Sequence, residues 1–160
     1  SGNEDQIDFW IEDMDNHLHS IGQSLGFSYD SKAVVPDGTV FKGVNSRYYT
    51  PSDRPGGRFP HVWLDAARKH STLDWFDRDF VIVTGPLGDA WRDAADIARA
   101  RLDLPLVRKT LPAVPTEAGI QIGLRGAALV RPDGHVAWRM PWVPEDPADV
   151  LVKVLKDILR

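Results

Sequence analysis

The chain has 160 residues, enough for one domain with a real core, and its 42% hydrophobic and 26% charged residues are the balance of an ordinary globular protein. A formal net charge of −4 with no basic block argues against a nucleic-acid partner, and no apolar run approaches the roughly 20 residues needed to span a membrane. There is no cysteine, which excludes disulfides, thiolate metal sites and thiol-based redox or nucleophilic chemistry.

The first residues are polar and acidic, unlike a signal peptide, which points to the cytoplasm. Ser1-Gly2 is compatible with a cleavage scar, in which case the natural chain starts further upstream. Asp5 to Leu25 reads as a helix. Ile7, Ile11, Met14, Leu18, Ile21 and Leu25 recur at alternating intervals of four and three, a seam of a/d type. Asp5, Asp8, Glu12, Asp13 and Asp15 crowd the first half, where the helix dipole favours acidic groups, and Gly26 is the expected stop. Residues 1–26 therefore form an amphipathic helix whose stripe packs on this domain, on a neighbour or on a second copy. Met14 and Leu18, at its centre, are candidate interface residues, and a homodimer is expected.

Residues 27–59 show no helical period and hold Pro36, Gly38, Gly43, Pro51, Pro55, Gly56 and Gly57. They read as a long extended connector with one short strand at Ala33–Val35. A connector of this length is uncommon inside a compact domain, so a second domain is expected to start near Pro60.

From residue 60 to 160 the pattern is α/β. His61–Leu64 reads as a short strand, Ser71–Phe76 as a strand or turn, and Phe80–Val83 as a buried strand. Gly85-Pro86-Leu87-Gly88 is a loop, with Asp89 as the expected N-cap of a helix over Ala90–Leu102. Trp91, Ala94, Ala95, Ala98 and Leu102 give that helix one small-residue face. Leu104–Thr110 is a strand, and Leu111–Leu124 is mostly loop.

Gly126–Arg139 reads as a β-hairpin. Ala127–Val130 is an apolar run suited to a strand buried on both faces. Pro132-Asp133-Gly134 supplies the turn, and His135–Trp138 returns with Val136 and Trp138 expected on one face. A last helix starts at Asp146 or Asp149 and buries Val150, Leu151, Val154, Leu155, Ile158 and Leu159.

Local constellations for catalysis are weak. His17 and His19 diverge on a helix, His61, His70 and His135 are scattered, and Ser52 and Ser71 lack the strained turn of a nucleophile. No catalytic, cofactor-binding or metal-ligating residue is assigned. Arg131 and Arg139 flank the hairpin and pair with Asp133 or Asp74, either bracing the turn or contacting another domain. Trp63, Trp75, Trp91 and Trp138 are expected in the core or an interface. Trp142, between Pro141 and Pro144, is expected to be exposed and a partner contact.

The order β, β, α, β, hairpin, α is the thioredoxin pattern. Where thioredoxins carry their redox CxxC, this chain has Thr84-Gly85-Pro86-Leu87-Gly88-Asp89, and Arg125-Gly126 stand in place of the proline before the hairpin. A closer resemblance rests on four stretches in order. These are Leu25–Tyr29 with Ala33–Gly38, then Arg54-Pro55-Gly56-Gly57-Arg58-Phe59-Pro60-His61-Val62-Trp63-Leu64, then Ser71–Phe76, then Leu129–Arg139. Together they resemble the C-terminal domain of FAD-dependent aromatic-ring hydroxylases of the phenol, 3-(3-hydroxyphenyl)propionate and 2,4-dichlorophenol hydroxylase type.

The resemblance implies a parent that uses FAD, NAD(P)H and oxygen to hydroxylate a phenolic ring. Its FAD would lie in an N-terminal part with a GxGxxG fingerprint, which this chain does not have. Gly88-Asp89-Ala90 is similar to the family's flavin-contacting GDA only superficially, since it sits between a strand and a helix of the thioredoxin-like part. Asp89 would oppose an anion there. The expected partner is the FAD-containing part, with Arg131, Asp133, Arg139 and Trp142 as contact candidates. An independent, redox-dead thioredoxin-like binding or assembly module is the alternative.

Overall fold

A computed structural model describes residues 21–28, 30–41, 43, 45 and 48–160. The seam residues Ile7, Ile11, Met14 and Leu18, and with them His17 and His19, lie outside the described residues. Ile21–Gly26 is helical (α1). Ser28–Val40 and Pro51–Arg160 form one compact unit, and the other described residues belong to a second.

Four strands make the sheet of the larger unit. They are β1 (Phe80–Thr84), β2 (Leu106–Thr110), β3 (Ala127–Val130) and β4 (Val136–Met140), in the order β2-β1-β3-β4. β1 runs parallel to β2, with Phe80 opposite Leu106 and Thr84 opposite Thr110. β3 is antiparallel to both β1 and β4. With α2 (Asp89–Leu102) joining β1 to β2 and α3 (Pro147–Ile158) following β4, this is the thioredoxin arrangement.

The apolar runs are buried on both faces, as all-apolar strands require. On one face Ile82, Ala127, Leu129 and Trp138 pack against Trp91, Ala94, Ala95 and Ala98 of α2 and Leu151, Val154, Leu155 and Ile158 of α3. Trp91 and Trp138 meet edge to face, with ring centroids 5.3 Å apart. On the other face Val81, Val83, Ala128 and Val130 are covered by Phe59, Leu111, Ile120 and Ile122. Among the described residues no α-helix covers that face. Leu111–Leu124, expected to be mostly loop, is irregular apart from a 3₁₀ turn at Thr116–Ala118, and Leu111, Ile120 and Ile122 of it are core.

The structure corrects several local expectations. His61–Leu64 is not a strand; Trp63 makes a single bridge to Ser71. Thr72–Trp75 is a 3₁₀ helix closed by a capping box, in which the Ser71 hydroxyl accepts from Leu73 N and Asp74 accepts from Ser71 N. Gly88, not Asp89, is the N-cap of α2, and Asp89 instead pairs with Arg92 one turn on. Asp146, one of the two expected starts, is indeed the N-cap of α3, its carboxylate accepting from Asp149 N at 2.9 Å. Leu159, expected on the buried face, is exposed.

The hairpin turn forms as its residues dictate. Asp133 Oδ1 accepts from His135 N at 3.1 Å, and Gly134 takes φ +82°, which a side chain would resist. Val136 and Trp138 do not share a face, however. Leu129 opposes Trp138 while Val130 opposes Val136, so Ala137 is an extra residue in β4. This bulge reverses the parity of the strand and sends Trp138 to the helices and Val136 to the opposite cluster.

Among the described residues of 27–59 there is no strand, and Ala33–Val35 is not one. Much of the segment packs on the sheet. Val35 N donates to Ala137 O at 2.7 Å. Gly56 N donates to Val136 O, Val136 N to Gly57 O, and Phe59 N to Gly134 O. The outer edge of β4 is thereby covered, which removes a template for intermolecular pairing.

Candidate functional site

Two places gather polar or exposed groups that the packing of the sheet does not require. The first is a buried ionic clamp on the loop-covered face. Arg139 faces that side from β4, opposite Ala128. Its Nε donates to Asp37 Oδ2 at 2.6 Å and its Nη1 to Asp53 Oδ1. The other oxygen of Asp53 accepts from Gln121 N at 2.7 Å and Ile122 N at 3.0 Å. Asp53 N donates in turn to Gly119 O. One fully buried carboxylate thus joins the 51–59 segment, the 119–122 loop and β4.

Such a clamp is stable only because nearly every charge has a partner. Burial pushes the Asp53 carboxyl above its ordinary 3.8, against the pull of the Gln121, Arg139 and Ile122 bonds. Burial also raises Asp37, but bonds from Thr39 and Arg139 outweigh it and hold the group below 3.8. Arg139 therefore does not pair with Asp133 or Asp74. It is spent inside its own domain.

The second place is the end of the sheet where a thioredoxin would carry its dithiol. Three loops meet there, backbone to backbone. Gly85 N donates to Gly126 O at 3.1 Å, Leu87 N to Leu124 O at 2.9 Å, and Trp91 Nε1 to Trp142 O at 3.2 Å. A Cβ on Gly85 would lie 2.3 Å from Gly123 O and Leu124 O, and one on Gly126 would lie 2.1 Å from Ile122 O. Only glycine allows this approach. Beneath it, Arg92 Nη1 donates to Thr84 Oγ1 and Thr110 Oγ1 at 3.2 Å each, and its Nη2 pairs with Asp89.

These residues do not fit a flavin. The space over Gly85 is filled by two carbonyl oxygens, where a dinucleotide fold leaves room for pyrophosphate, and Asp89 puts a carboxylate in the first turn of α2. Among the described residues no cluster of His, Asp or Glu is placed to hold a metal ion, and no helix is long and apolar enough to cross a membrane.

Of the other singled-out residues, Arg131 and Asp133 pair at the hairpin turn at 2.7 Å, Arg131 half-buried and Asp133 exposed. The buried His135 ring lies 3.4 Å from the Asp133 carboxylate. Trp142 is 61% exposed, whereas Trp91 and Trp138 are core, Trp75 is half-buried and Trp63 is exposed. Sequence reasoning missed Asp37, Asp53, Thr84 and Arg92. Asp37 and Asp53 act across 102 and 86 positions, beyond any local pattern.

The aromatic-ring hydroxylase C-terminal family matches residues 52–159. The chain is 36% identical over 164 aligned residues to a 4-methyl-5-nitrocatechol 5-monooxygenase from Burkholderia sp., covering 95% of this chain and 30% of that protein. It is 34% identical to a phenol 2-monooxygenase from Pseudomonas sp. strain EST1001, covering 91% of this chain and 26% of that one. Among solved structures, a ternary complex of aklavinone-11 hydroxylase with FAD and aklavinone superposes with a TM-score of 0.73 at 37% identity, over 84% of this chain and 26% of the hydroxylase. The chain spans under a third of these relatives. The fold and these matches together place it in the aromatic-ring hydroxylase family, to whose C-terminal domain it corresponds.

Proposed function

We propose that this chain is the redox-inactive, thioredoxin-shaped support of an FAD- and NAD(P)H-dependent monooxygenase that hydroxylates a phenolic ring. One observation carries the reading. The strand-to-helix junction that would bear redox chemistry in a thioredoxin instead holds Gly85, Gly88 and the Thr84–Arg92–Thr110 bonds, in a chain with no cysteine. Without a thiolate there is no dithiol exchange. Without a cradle for pyrophosphate, the flavin belongs to a part of the parent that this chain lacks. The domain's share is then mechanical, holding the FAD-containing part in its working shape.

The parent assembles as a homodimer in which the seam of residues 7–25, centred on Met14 and Leu18, covers its twin. The heptad spacing of that seam supports this reading. Arg131, Asp133 and Trp142 remain accessible for contacts with the FAD-containing part; the burial of Arg139 removes it from that role.

The test is a longer polypeptide in which an FAD-containing part precedes this chain. It should consume NAD(P)H and oxygen in a phenol-dependent manner, and the 160-residue chain alone should not. A longer polypeptide that binds flavin and shows no phenol-dependent turnover across a panel of ring substrates would overturn the reading.

A further inference from the structure

The loops that meet at the redox-equivalent end of the sheet present an apolar surface that the domain itself does not use. Leu87, Leu124 and Trp142 are 49%, 54% and 61% exposed, one from each loop, with Val143 beside Trp142. Leu87 N donates to Leu124 O, the Trp91 indole of α2 holds Trp142 O, and the close backbone contacts at Gly85 and Gly126 bring the loops together. A scattered exposed leucine means nothing, but three large apolar side chains on one braced base are the mark of a contact surface. Because the loops are fixed by their own bonds, little ordering entropy remains to be lost on docking.

We propose that this face is where an apolar segment of the FAD-containing part docks, with Trp142 as the central anchor. The inference rests on the functional reading above. The chain covers 26–30% of the relatives it matches, so more than two thirds of such a protein lies outside it and is tethered to it. A tethered partner reaches the face at high effective concentration, which a second copy does not. The guanidinium of Arg92 is already committed to Thr84, Thr110 and Asp89, so Leu87, Leu124 and Trp142 supply the apolar centre of the face, while the exposed Arg125 follows Leu124 in the chain.

Hydroxyl-radical footprinting tests this on the 160-residue chain and on the longer, flavin-loaded polypeptide. Leu73, exposed on the 3₁₀ turn, serves as the reference. Labelling of Leu87, Leu124 and Trp142 should be strong in the short chain and lost in the long one, while Leu73 stays comparable. In the long polypeptide, Leu124→Asp with Trp142→Asp should restore labelling at Leu87, with flavin content unchanged. Full labelling of all three in a flavin-loaded, active polypeptide overturns the docking face and spares the functional reading. Protection that appears in the short chain and grows with its concentration makes the occupant a second copy and overturns the proposal. A long polypeptide that holds no flavin removes the reading on which the proposal stands.

Discussion

The carboxylate of Asp53 receives the guanidinium of Arg139 from 86 positions further along the chain, and both groups are buried. Removing the Asp53 carboxylate leaves Arg139 with Asp37 as its remaining partner but leaves Gln121 N and Ile122 N without their acceptor. Asp53→Ala should therefore lower the unfolding free energy in denaturant titration by about 1–3 kcal/mol for each buried donor left unsatisfied. Asp53→Leu combined with Arg139→Met should cost less than the sum of the two single changes.

His135 predicts a dependence on pH. Burial pushes its pKa below the ordinary 6.5, with Asp133 pulling the other way. In the interval between the folded value and 6.5 the unfolded chain binds a proton that the folded chain does not, so stability rises with pH there. The contribution is fully present above about 6.5 and is lost progressively on acidification. Denaturant midpoints measured from about pH 7 down to about pH 5 should fall, and His135→Gln should flatten the slope. An unchanged slope in that variant would assign the dependence elsewhere.

Two tryptophans should behave oppositely. Trp91 is fully buried against Trp138, so Trp91→Ala should cost about 3–5 kcal/mol. Trp142 is exposed and lends only its backbone carbonyl to Trp91, so Trp142→Ala should stay within about 0.5 kcal/mol of the parent chain. Thermal melts of the two variants side by side decide it.

Gly126→Ala should destabilise by more than a typical overpacking change of about 1–3 kcal/mol, because the new methyl would meet backbone oxygens of Ile122 and Met140 that cannot swing aside. Gly38→Ala, at a positive φ but in open space, should cost only about 1–2 kcal/mol, that of a left-handed backbone with a side chain. Equal losses at the two glycines would mean that the loops are looser than their bonds imply.

The proposed dimer has its own test. Met14→Asp with Leu18→Asp should convert a dimer to a monomer in sedimentation while leaving the sheet domain folded. A parent chain that is already monomeric at high concentration contradicts the seam pairing.

The parts of this fold that were legible in the sequence are those set by near neighbours. The turn at Pro132–Gly134 was readable because Asp133 bonds His135 two residues on and Gly134 accepts a positive φ. β1 is readable from its β-branched and aromatic run, and α2 and α3 from apolar periodicity. Val136 and Trp138, expected to share a face, do not, because a bulge at Ala137 shifts parity and the residues themselves carry no local mark of it. Leu111, Ile120 and Ile122 are core without being periodic, so they looked like loop. The Ser71-x-x-Asp74 capping box was a local signal that could have identified the 3₁₀ turn. The Asp37–Arg139–Asp53 clamp had no such signal, since its members meet only once the sheet has formed.

The flavin content of the 160-residue chain tests the central claim most directly. After incubation with excess FAD and gel filtration, the chain should elute without a flavin absorbance band, because the strand-to-helix junction is closed by backbone carbonyls and faced by Asp89. Flavin co-eluting at a near-equal molar ratio would show that the domain carries a cofactor site of its own and would contradict the account.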